Sequence, residues 1–337
     1  METLLFALNA ILPIILLILL GYFLKRMSFL DEAWLKKGNT LVFKVFLPCL
    51  LFINVYNIDS FATIDWSVVI FSEIAILVLF LLGMLLVKFT VSDSRQKGAV
   101  LQCVFRSNFA IIGLPIAQAL GNADGVGIAA ILGAFSIPTF NVLGVVALTM
   151  YLEDGEKKAK IKQTLKKVVT NPLILGVFFG FVALVIRSLI PNVSADTPAF
   201  SIERDLPFLY AAVNNIGKIA SPLALIIWGG LFDFSSIQSR KGLIVIGTVT
   251  RVLFVPFLTL GSALLLFKFT DLLQFGKEAF PGLLALFGSP VAVSSAIMAQ
   301  EMDNDGILAG QFVVWTSVCS IFTLFVFIVA LRSIGML

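Results

Sequence analysis

The sequence contains no histidine, and only 13% of its 337 residues are charged. Histidine is the commonest metal ligand and the usual proton relay near neutral pH, so its absence argues against a metal site, and we expect no cofactor. A soluble domain carries roughly a quarter charged residues, which excludes that class. Three cysteines fall inside apolar segments without the paired spacing of a disulfide or metal set, as packing residues do: Cys49, Cys103 and Cys319.

The chain is rich in apolar residues: 59% of it is hydrophobic, 32 residues are phenylalanine, and the mean hydropathy is +1.03. About 20 apolar helical residues cross a hydrocarbon core of about 30 Å. Apolar runs of that length recur along the chain, so the sequence predicts an all-α integral membrane protein. The ten predicted spans lie near residues 4–25, 38–57, 66–88, 98–120, 125–152, 170–190, 207–230, 240–267, 279–300 and 306–331.

The basic residues outside the spans are distributed unevenly. Fifteen lie in loops that follow odd-numbered spans, whereas five lie on the opposite side or at the termini. Cytoplasmic loops are enriched in Lys and Arg, so we expect a multi-pass protein of the cytoplasmic membrane with both termini outside. The long basic loop at 153–169 is predicted to lie on anionic lipid, and a regulatory docking site is the alternative.

Two halves of five spans each, joined by a cytoplasmic loop, have opposite orientations, as in an inverted repeat. The predicted domains are a first five-helix repeat at 1–152, the basic connection at 153–169 and a second, inverted repeat at 170–337. Polar and helix-breaking residues recur between the halves at offsets that increase along the chain. The matched pairs are Lys44–Pro48 with Lys218–Pro222, Glu73–Gly83 with Arg251–Gly261, and Asp124–Gly125 with Asp305–Gly306.

Spans four and nine are predicted to be interrupted at corresponding positions of the two repeats. In span four a polar Ser107–Asn108 pair precedes Gly113 and Pro115, and this stretch overlies Gly288–Ala296 of span nine. Hydrocarbon offers backbone polar groups no partner, so non-helical segments at membrane depth are buried in protein or line a wet cavity. Crossing half-helices direct free N–H groups and a partial positive charge at one point, which favours an anionic ligand. The alternative is that these residues only kink packed helices.

Basic residues outnumber acidic ones deep within the predicted spans. The acidic residue there is Glu73, and the basic residues are Lys44, Arg106, Lys218 and Arg251. Each charge costs about 2.5–3.5 kcal/mol or more at a helix centre unless it is paired or hydrated. One carboxylate cannot neutralise four cations, so a transported anion is expected to supply the missing charge. Two alternatives stay open: a basic side chain, Arg106 above all, snorkels to the interface, or Glu73 pairs with Arg251.

The predicted substrate site combines the two interruptions with the cations and the carboxylate. Asn108 is the principal expected contact, and Lys218 or Arg251 is the expected electrostatic attractor. Glu73 is the group that a coupling proton would titrate, and Na⁺ is the other candidate coupling ion. The remaining predicted substrate-binding residues are Ser107, Phe109, Gly113, Pro115, Ser289, Pro290, Val291 and Ser294.

Several motifs resemble those of the auxin efflux carrier family in its compact prokaryotic form. They are LPIILLILLGYFLKR at 12–26, FLPCLLF at 46–52, SNFAIIGLP at 107–115, NPLILGVFFG at 171–180 and GSPVAVSSAIMAQEMDND at 288–305. The resemblance implies ten spans in two inverted repeats, crossing broken helices and a fold similar to sodium/bile acid symporters. It also implies transport of small organic anions: auxin in plants, and dicarboxylates such as malate or malonate for some bacterial members. Asn108 would then meet the substrate carboxylate.

The chain departs from the plant carriers at two positions of the breaks. Ser107 stands where they have a proline before the asparagine, and Ser295 stands where they have a second proline in span nine. Their long hydrophilic central loop is reduced here to the basic segment. These differences favour milder breaks and a substrate other than auxin.

Together these features predict a secondary active transporter that moves a small organic anion, a mono- or dicarboxylate, by alternating access. Spans 3–5 and 8–10 are expected to move as a bundle against a scaffold of spans 1, 2, 6 and 7. The alternatives are an efflux carrier for auxin-like aromatic carboxylates and a passive anion channel. An enzyme is not expected, because the sequence has no HExxH motif and no aspartate deep in a span. Nucleic acid is not an expected partner, whereas a homodimer is compatible with the sequence.

Overall fold

The structure is a computed structural model that describes residues 2–57, 66–121, 123–151, 169–170, 172–190, 192–194, 197–198, 200–230, 241–269 and 275–337. Most of these residues are helical. The helices of the first half are α1 (Glu2–Arg26), α2 (Glu32–Leu41), α3 (Leu47–Tyr56), α4 (Trp66–Thr90), α5 (Ser94–Phe105), α6 (Leu114–Leu120) and α7 (Ala123–Thr149). Two π-helical turns join successive helices: π1 (Val42–Phe46) and π2 (Phe109–Gly113).

The second half is also mostly helical, and its described residues include a short pair of strands. Its helices are α8 (Pro172–Leu189), α9 (Ile202–Asp205), α10 (Pro207–Gly230), α11 (Lys241–Val249), α12 (Val255–Phe269), α13 (Ala279–Gly288), α14 (Val293–Glu301) and α15 (Gly306–Ser333), with a π turn, π3 (Thr250–Phe254), between α11 and α12. Strands β1 (Asn192–Ser194) and β2 (Thr197–Pro198) pair antiparallel. This pair is a small departure from the all-α prediction.

Each predicted span coincides with one helix or with consecutive helices. Six helical stretches of the described residues are long and apolar enough to cross a membrane: Glu32–Tyr56, Trp66–Thr90, Gly125–Thr149, Pro207–Ile227, Lys241–Phe269 and Gly306–Ser333. Shorter apolar helices occupy Phe109–Leu120, Leu175–Leu189 and Ala279–Gly288. A helical protein with several candidate spans is thereby confirmed, whereas ten spans and an inverted repeat stay predictions. The predicted basic connection lies outside the described residues except for residue 169.

The three π turns of the described residues each end two residues before a proline, namely Pro48, Pro115 and Pro256. Proline has no N–H, and its ring collides with the carbonyl group four residues earlier in a regular α-helix. A π turn at this point widens the helix and gives that carbonyl room. The proline then lies at the start of the next helix. These prolines therefore distort their spans without ending them.

The chain forms two compact units, and each takes segments from both halves of the sequence. Unit 1 comprises Met1–Ile15, Trp66–Val168 and Phe232–Leu337, and unit 2 comprises Leu16–Asp65 and Val169–Leu231. Unit 1 thus holds predicted spans three to five and eight to ten, and unit 2 holds spans two, six and seven. The helix α1 crosses the boundary between the units. This division follows the predicted grouping of bundle and scaffold, not the two sequence repeats.

Unit 2 is packed through glycines at close helix contacts. A Cβ atom on Gly21 would collide with the Ile226 carbonyl group, and one on Gly229 would collide with that of Ile18. Gly176 in α8 likewise lies against the Pro48 backbone. Apolar lipid gives little hydrophobic force between helices, so membrane helices associate through close packing at small residues. The glycines of α1, α8 and α10 supply such contacts within unit 2.

Unit 1 is built around α13, in which every residue is buried. Large aromatic side chains on α13 and elsewhere in unit 1 are fully buried: Phe280 and Phe287 on α13, and Phe105, Phe109 and Phe312 on other elements. Because α13 is surrounded by protein, the point where it stops being helical, after Gly288, is also inside unit 1. The packing therefore holds the second interruption at a fixed position.

Candidate functional site

Two non-helical segments meet inside unit 1. The first follows α5, where Arg106 is extended and Asn108 precedes π2. The second follows α13, where Ser289 and Ala292 are both extended. The segments pair antiparallel at Ser107 and Val291, and the Asn108 N–H donates to the Pro290 carbonyl oxygen at 2.8 Å. The two interruptions that the sequence matched are thus in direct contact, and we call this pair of segments the crossing.

The interruption in the fourth span lies earlier than its glycine and proline suggested. The helix stops at Phe105 and resumes at Phe109, so the non-helical residues are 106–108. Gly113 ends π2, and Pro115 lies in the first turn of α6. Gly113 has a packing role instead, since a Cβ there would lie 2.9 Å from the Ala285 carbonyl oxygen and 3.1 Å from the Ser289 hydroxyl.

Arg251 ties the ends of the two interrupted helices together. Its Nε and Nη2 donate to the Ser289 carbonyl oxygen at 3.0 and 2.7 Å, and its Nη1 reaches the carbonyls of Val104 and Phe105 at 3.2 and 3.4 Å. The side chain is fully buried. The last carbonyl groups of a helix lack intrahelical partners and carry partial negative charge. Arg251 therefore caps α5 and the segment after α13 at once, and its role as an electrostatic attractor stays a prediction.

Glu73 and Arg251 have different partners, although the sequence left a bridge between them open. Glu73 lies on α4, is partly buried, and accepts hydrogen bonds from Ser136 Oγ at 3.2 Å and Thr139 Oγ1 at 2.6 Å. Among the described residues Glu73 forms no ion pair. The carboxylate is therefore held by two hydroxyl groups of α7, which hydrogen-bond it without neutralising its charge.

The predicted cations of unit 2 are not buried. Lys218 lies on α10 and Lys44 lies in π1, and both side chains are exposed. Lys218 belongs to unit 2 and the crossing to unit 1, and the role of Lys218 as an electrostatic attractor stays a prediction.

Arg106 is a functional candidate for which the sequence left snorkelling to the interface open. Its side chain is only 3% exposed. The guanidinium donates to Gln102 Oε1 and Asn141 Oδ1, each at 2.8 Å, to Ser294 Oγ at 3.0 Å and to the Met298 sulfur at 2.7 Å. All four acceptors are neutral, and no carboxylate in the described part of the chain pairs with it. The sequence signal was present, because Arg106 was counted among the unneutralised cations.

Helix starts at the crossing present backbone N–H groups. π2 begins after Asn108 and α14 begins after Ala292, and neither of these two residues caps its helix with a side chain. The first N–H groups of a helix have no intrahelical acceptor and attract anions. Three buried polar atoms near these starts also lack a hydrogen-bond partner within the described ranges: Ser107 Oγ, Asn108 Nδ2 and Ser295 Oγ.

The other predicted site residues are placed at or beside the crossing. Phe109 is fully buried, and its ring lies close to Gly133, where an added Cβ would be 3.1 Å from it. Pro290 is buried and supplies the carbonyl that accepts the Asn108 N–H. The Val291 N–H donates to Thr316 Oγ1 at 3.1 Å, and the Ser289 hydroxyl donates to the Ala285 carbonyl. Buried polar groups with no partner are costly, so the unpaired atoms at the crossing are available to hydrogen-bond water or a polar ligand.

A family model described as membrane transport protein matches the chain over residues 6–328. The matched region includes both interruptions, Arg106, Arg251 and Glu73. No curated protein matches the chain.

Proposed function

Because the chain belongs to the membrane transport protein family, which is that of the auxin efflux carriers, we propose that it is a secondary active transporter of a small organic anion. The chain is a multi-pass membrane protein. The observation that supports an anionic substrate is the crossing itself, where two interrupted helices pair and leave buried donors without partners. As a permease, it performs no covalent chemistry on its substrate.

Charge supports an anion over a cation or a neutral solute. Arg106 and Arg251 are both buried in unit 1, and neither has a carboxylate partner among the described residues. A buried charge without a counter-ion is costly in a medium of low dielectric constant. The half-helix starts after Asn108 and Ala292 add partial positive charge. An anion bound at the crossing would supply the compensating negative charge.

Asn108 is the residue that we assign to the substrate carboxylate. Its backbone is fixed by the 2.8 Å hydrogen bond to Pro290, and its side chain is 3% exposed with an unpaired Nδ2. A neutral amide donor holds a carboxylate less tightly than a cation does. Such a contact allows release, which a transport cycle requires.

The two compact units suggest how transport proceeds. We assign ten spans to two inverted five-span repeats, with unit 1 as the mobile bundle and unit 2 as the scaffold of an alternating-access cycle. The crossing lies wholly within unit 1, so the site would move with the bundle. By the excess of Lys and Arg in loops that follow odd-numbered spans, the protein lies in the cytoplasmic membrane with both termini outside.

Glu73 is the candidate for ion coupling. It is a carboxylate of the same unit, held by the hydroxyl groups of Ser136 and Thr139. The carboxylate can take up a proton, and carboxylate and hydroxyl oxygens together can contribute to an Na⁺ site. The coupling ion in this proposal is H⁺ or Na⁺.

Uptake by proteoliposomes tests the proposal. Purified protein is reconstituted and assayed with radiolabelled malate, malonate and indole-acetate, with and without Na⁺ and a pH gradient. We expect saturable uptake and counterflow of at least one anion, and Asn108→Ala is expected to reduce uptake roughly tenfold, as for loss of a hydrogen bond to a charged group. Asn57→Ala, at an exposed asparagine of unit 2, is the control.

Three results would contradict parts of the proposal. Linear, non-saturable conductance without counterflow would identify a passive anion channel. Uptake of indole-acetate alone would favour an aromatic carboxylate carrier. Unchanged uptake by Asn108→Ala would remove Asn108 from the site.

A further inference from the structure

We propose that Arg106 provides a second carboxylate-binding point next to Asn108, which makes the site selective for dicarboxylates over monocarboxylates. This inference rests on the proposed transport of a small organic anion and deepens it. Within unit 1, Arg251 is fully occupied by backbone carbonyls. Arg106 has only side-chain acceptors, which can move aside when a ligand enters.

Each terminal nitrogen of the Arg106 guanidinium has two acceptors, one on α14 and one on another helix of unit 1. Gln102 on α5 and Asn141 on α7 accept one N–H each from Nη1 and Nη2. Met298 and Ser294, both on α14, accept the second N–H of the same two nitrogens. A carboxylate binds a guanidinium with two parallel hydrogen bonds, one from each nitrogen. In the place of Met298 and Ser294, which we call the α14 edge, a carboxylate would accept one hydrogen bond from Nη1 and one from Nη2, while Gln102 and Asn141 keep the guanidinium in place.

The two acceptors on the α14 edge are the ones that a substrate can displace. A thioether sulfur is a weak acceptor, and the Met298 side chain is flexible. The Ser294 hydroxyl can rotate to another acceptor. Replacing both with carboxylate oxygens exchanges two neutral acceptors for charged ones, which form the stronger hydrogen bonds. The exchange also neutralises the buried charge.

Gly144 on α7 gives the guanidinium the room it occupies. A Cβ atom at this position would lie 2.8 Å from Arg106 Nη1 and 3.5 Å from Gln102 Oε1. Even a methyl group would therefore push the guanidinium from its present position. Gly144→Ala is thus a way to disturb the Arg106 geometry while its charge is kept.

Arg106 and Asn108 are suited to hold the two ends of one short ligand. They are separated by a single residue in the segment that pairs with the second interruption. In extended chain, side chains two residues apart project to the same side, and their Cα atoms lie roughly 6–7 Å apart at about 3.3 Å per residue. The unpaired Asn108 Nδ2 would contact one carboxylate and the Arg106 guanidinium the other.

Binding of malonate and of monomethyl malonate tests this inference. The two ligands share a skeleton, but the ester masks one carboxylate. The full-length protein is titrated in detergent with each ligand near neutral pH, by calorimetry. We expect malonate to bind wild-type protein roughly 10- to 100-fold more tightly than the ester, as for charge-assisted hydrogen bonds. In Arg106→Gln this ratio should fall below about threefold, because malonate weakens and the ester does not.

Two further variants keep the test decisive. Gly144→Ala should lower the ratio although the charge is retained, and it replaces Arg106→Gln if the latter does not purify as a folded protein. Lys241→Gln removes one positive charge at an exposed position of unit 1 and should leave the ratio unchanged.

The outcomes separate this inference from the proposed function. Equal affinity of wild-type protein for the two ligands, or an unchanged ratio in folded Arg106→Gln or in Gly144→Ala, overturns the second binding point while anion transport stands. If wild-type protein binds neither ligand but proteoliposomes take up indole-acetate, the dicarboxylate selectivity is wrong and anion transport again stands. If no organic anion is bound or taken up, both fail.

Discussion

Replacing Arg251 by glutamine should destabilise the protein without removing its substrate site. In the wild type, the Arg251 guanidinium reaches the carbonyls of Ser289, Val104 and Phe105, with a longer contact of 3.5 Å to Leu286. Glutamine has a shorter, neutral side chain with one amide group. Each of the two N–H bonds of the glutamine amide can donate to one carbonyl at most. The carbonyls of one helix end therefore lose their donor.

The size of the effect follows from the lost contacts. A hydrogen bond from a charged group contributes about 1.5–3 kcal/mol, and a buried acceptor left without a partner costs about 1–3 kcal/mol. Removing a buried charge also relieves its desolvation penalty, which offsets part of the loss. We expect the free energy of unfolding to fall by about 2–4 kcal/mol. At about 2–4 °C for each kcal/mol in a unit of this size, Tm falls by roughly 5–10 °C.

The assay compares stability with affinity in the same sample. Thermal unfolding of detergent-purified Arg251→Gln is measured without substrate, and anion affinity is measured well below its Tm. Lys241→Gln, which loses the same charge at an exposed position of α11, should unfold like the wild type. A Tm within about 2 °C of the wild type, together with a tenfold or greater loss of anion affinity, would refute the capping role and restore Arg251 as the electrostatic attractor.

Two further predictions follow from the packing and from the carboxylate of unit 1. Gly113→Ala should destabilise the protein by about 1–3 kcal/mol in a thermal unfolding assay, because its Cβ would lie 2.9 Å from the Ala285 carbonyl oxygen. Gly127→Ala, with no neighbouring atom within 4 Å of its Cβ, should be neutral or slightly stabilising, and equal effects of the two substitutions would contradict the close approach at Gly113. Glu73→Gln should abolish uptake driven by a pH gradient while counterflow continues, and undiminished pH-driven uptake would place proton coupling elsewhere.

The positions of the helices could be predicted from the sequence because a bilayer imposes a strict length and polarity on each span. Hydropathy placed all ten predicted spans on helices, and polar loops marked most of their ends. The π turns before Pro48, Pro115 and Pro256 were not foreseen. A proline in an apolar run signals a local distortion, but it does not tell a widened turn from a true interruption.

The interruption in span four depended on a partner that local sequence does not reveal. Arg106–Asn108 leaves the helix where it pairs with Pro290 and Val291, residues nearly two hundred positions away in the chain. Matching the two predicted repeats aligned the regions that pair in the structure, because a corresponding break was visible at Pro290. The residues that leave the helix are set by this pairing, not by the helix propensity of Gly113 or Pro115.

Burial explains why the sequence and the structure rank the cations differently. Position within a span gives the depth of a residue in the membrane, but not the helix face on which its side chain lies. Lys218, near the middle of its span, is exposed, whereas Arg106, nearer to an end of its span, is 3% exposed. Depth alone therefore favoured the lysine and left snorkelling to the interface open for Arg106.

The two buried arginines differ in what accepts their hydrogen bonds, and this difference assigns their roles. Arg251 binds main-chain carbonyls at helix ends, which cannot leave without unfolding the crossing. Arg106 binds side chains, two of them on α14, and side chains can exchange for a ligand at little cost to the fold. An anion competing for both cations would therefore displace the contacts of Arg106 and leave Arg251 in place. Stability should follow Arg251, and substrate charge selectivity should follow Arg106.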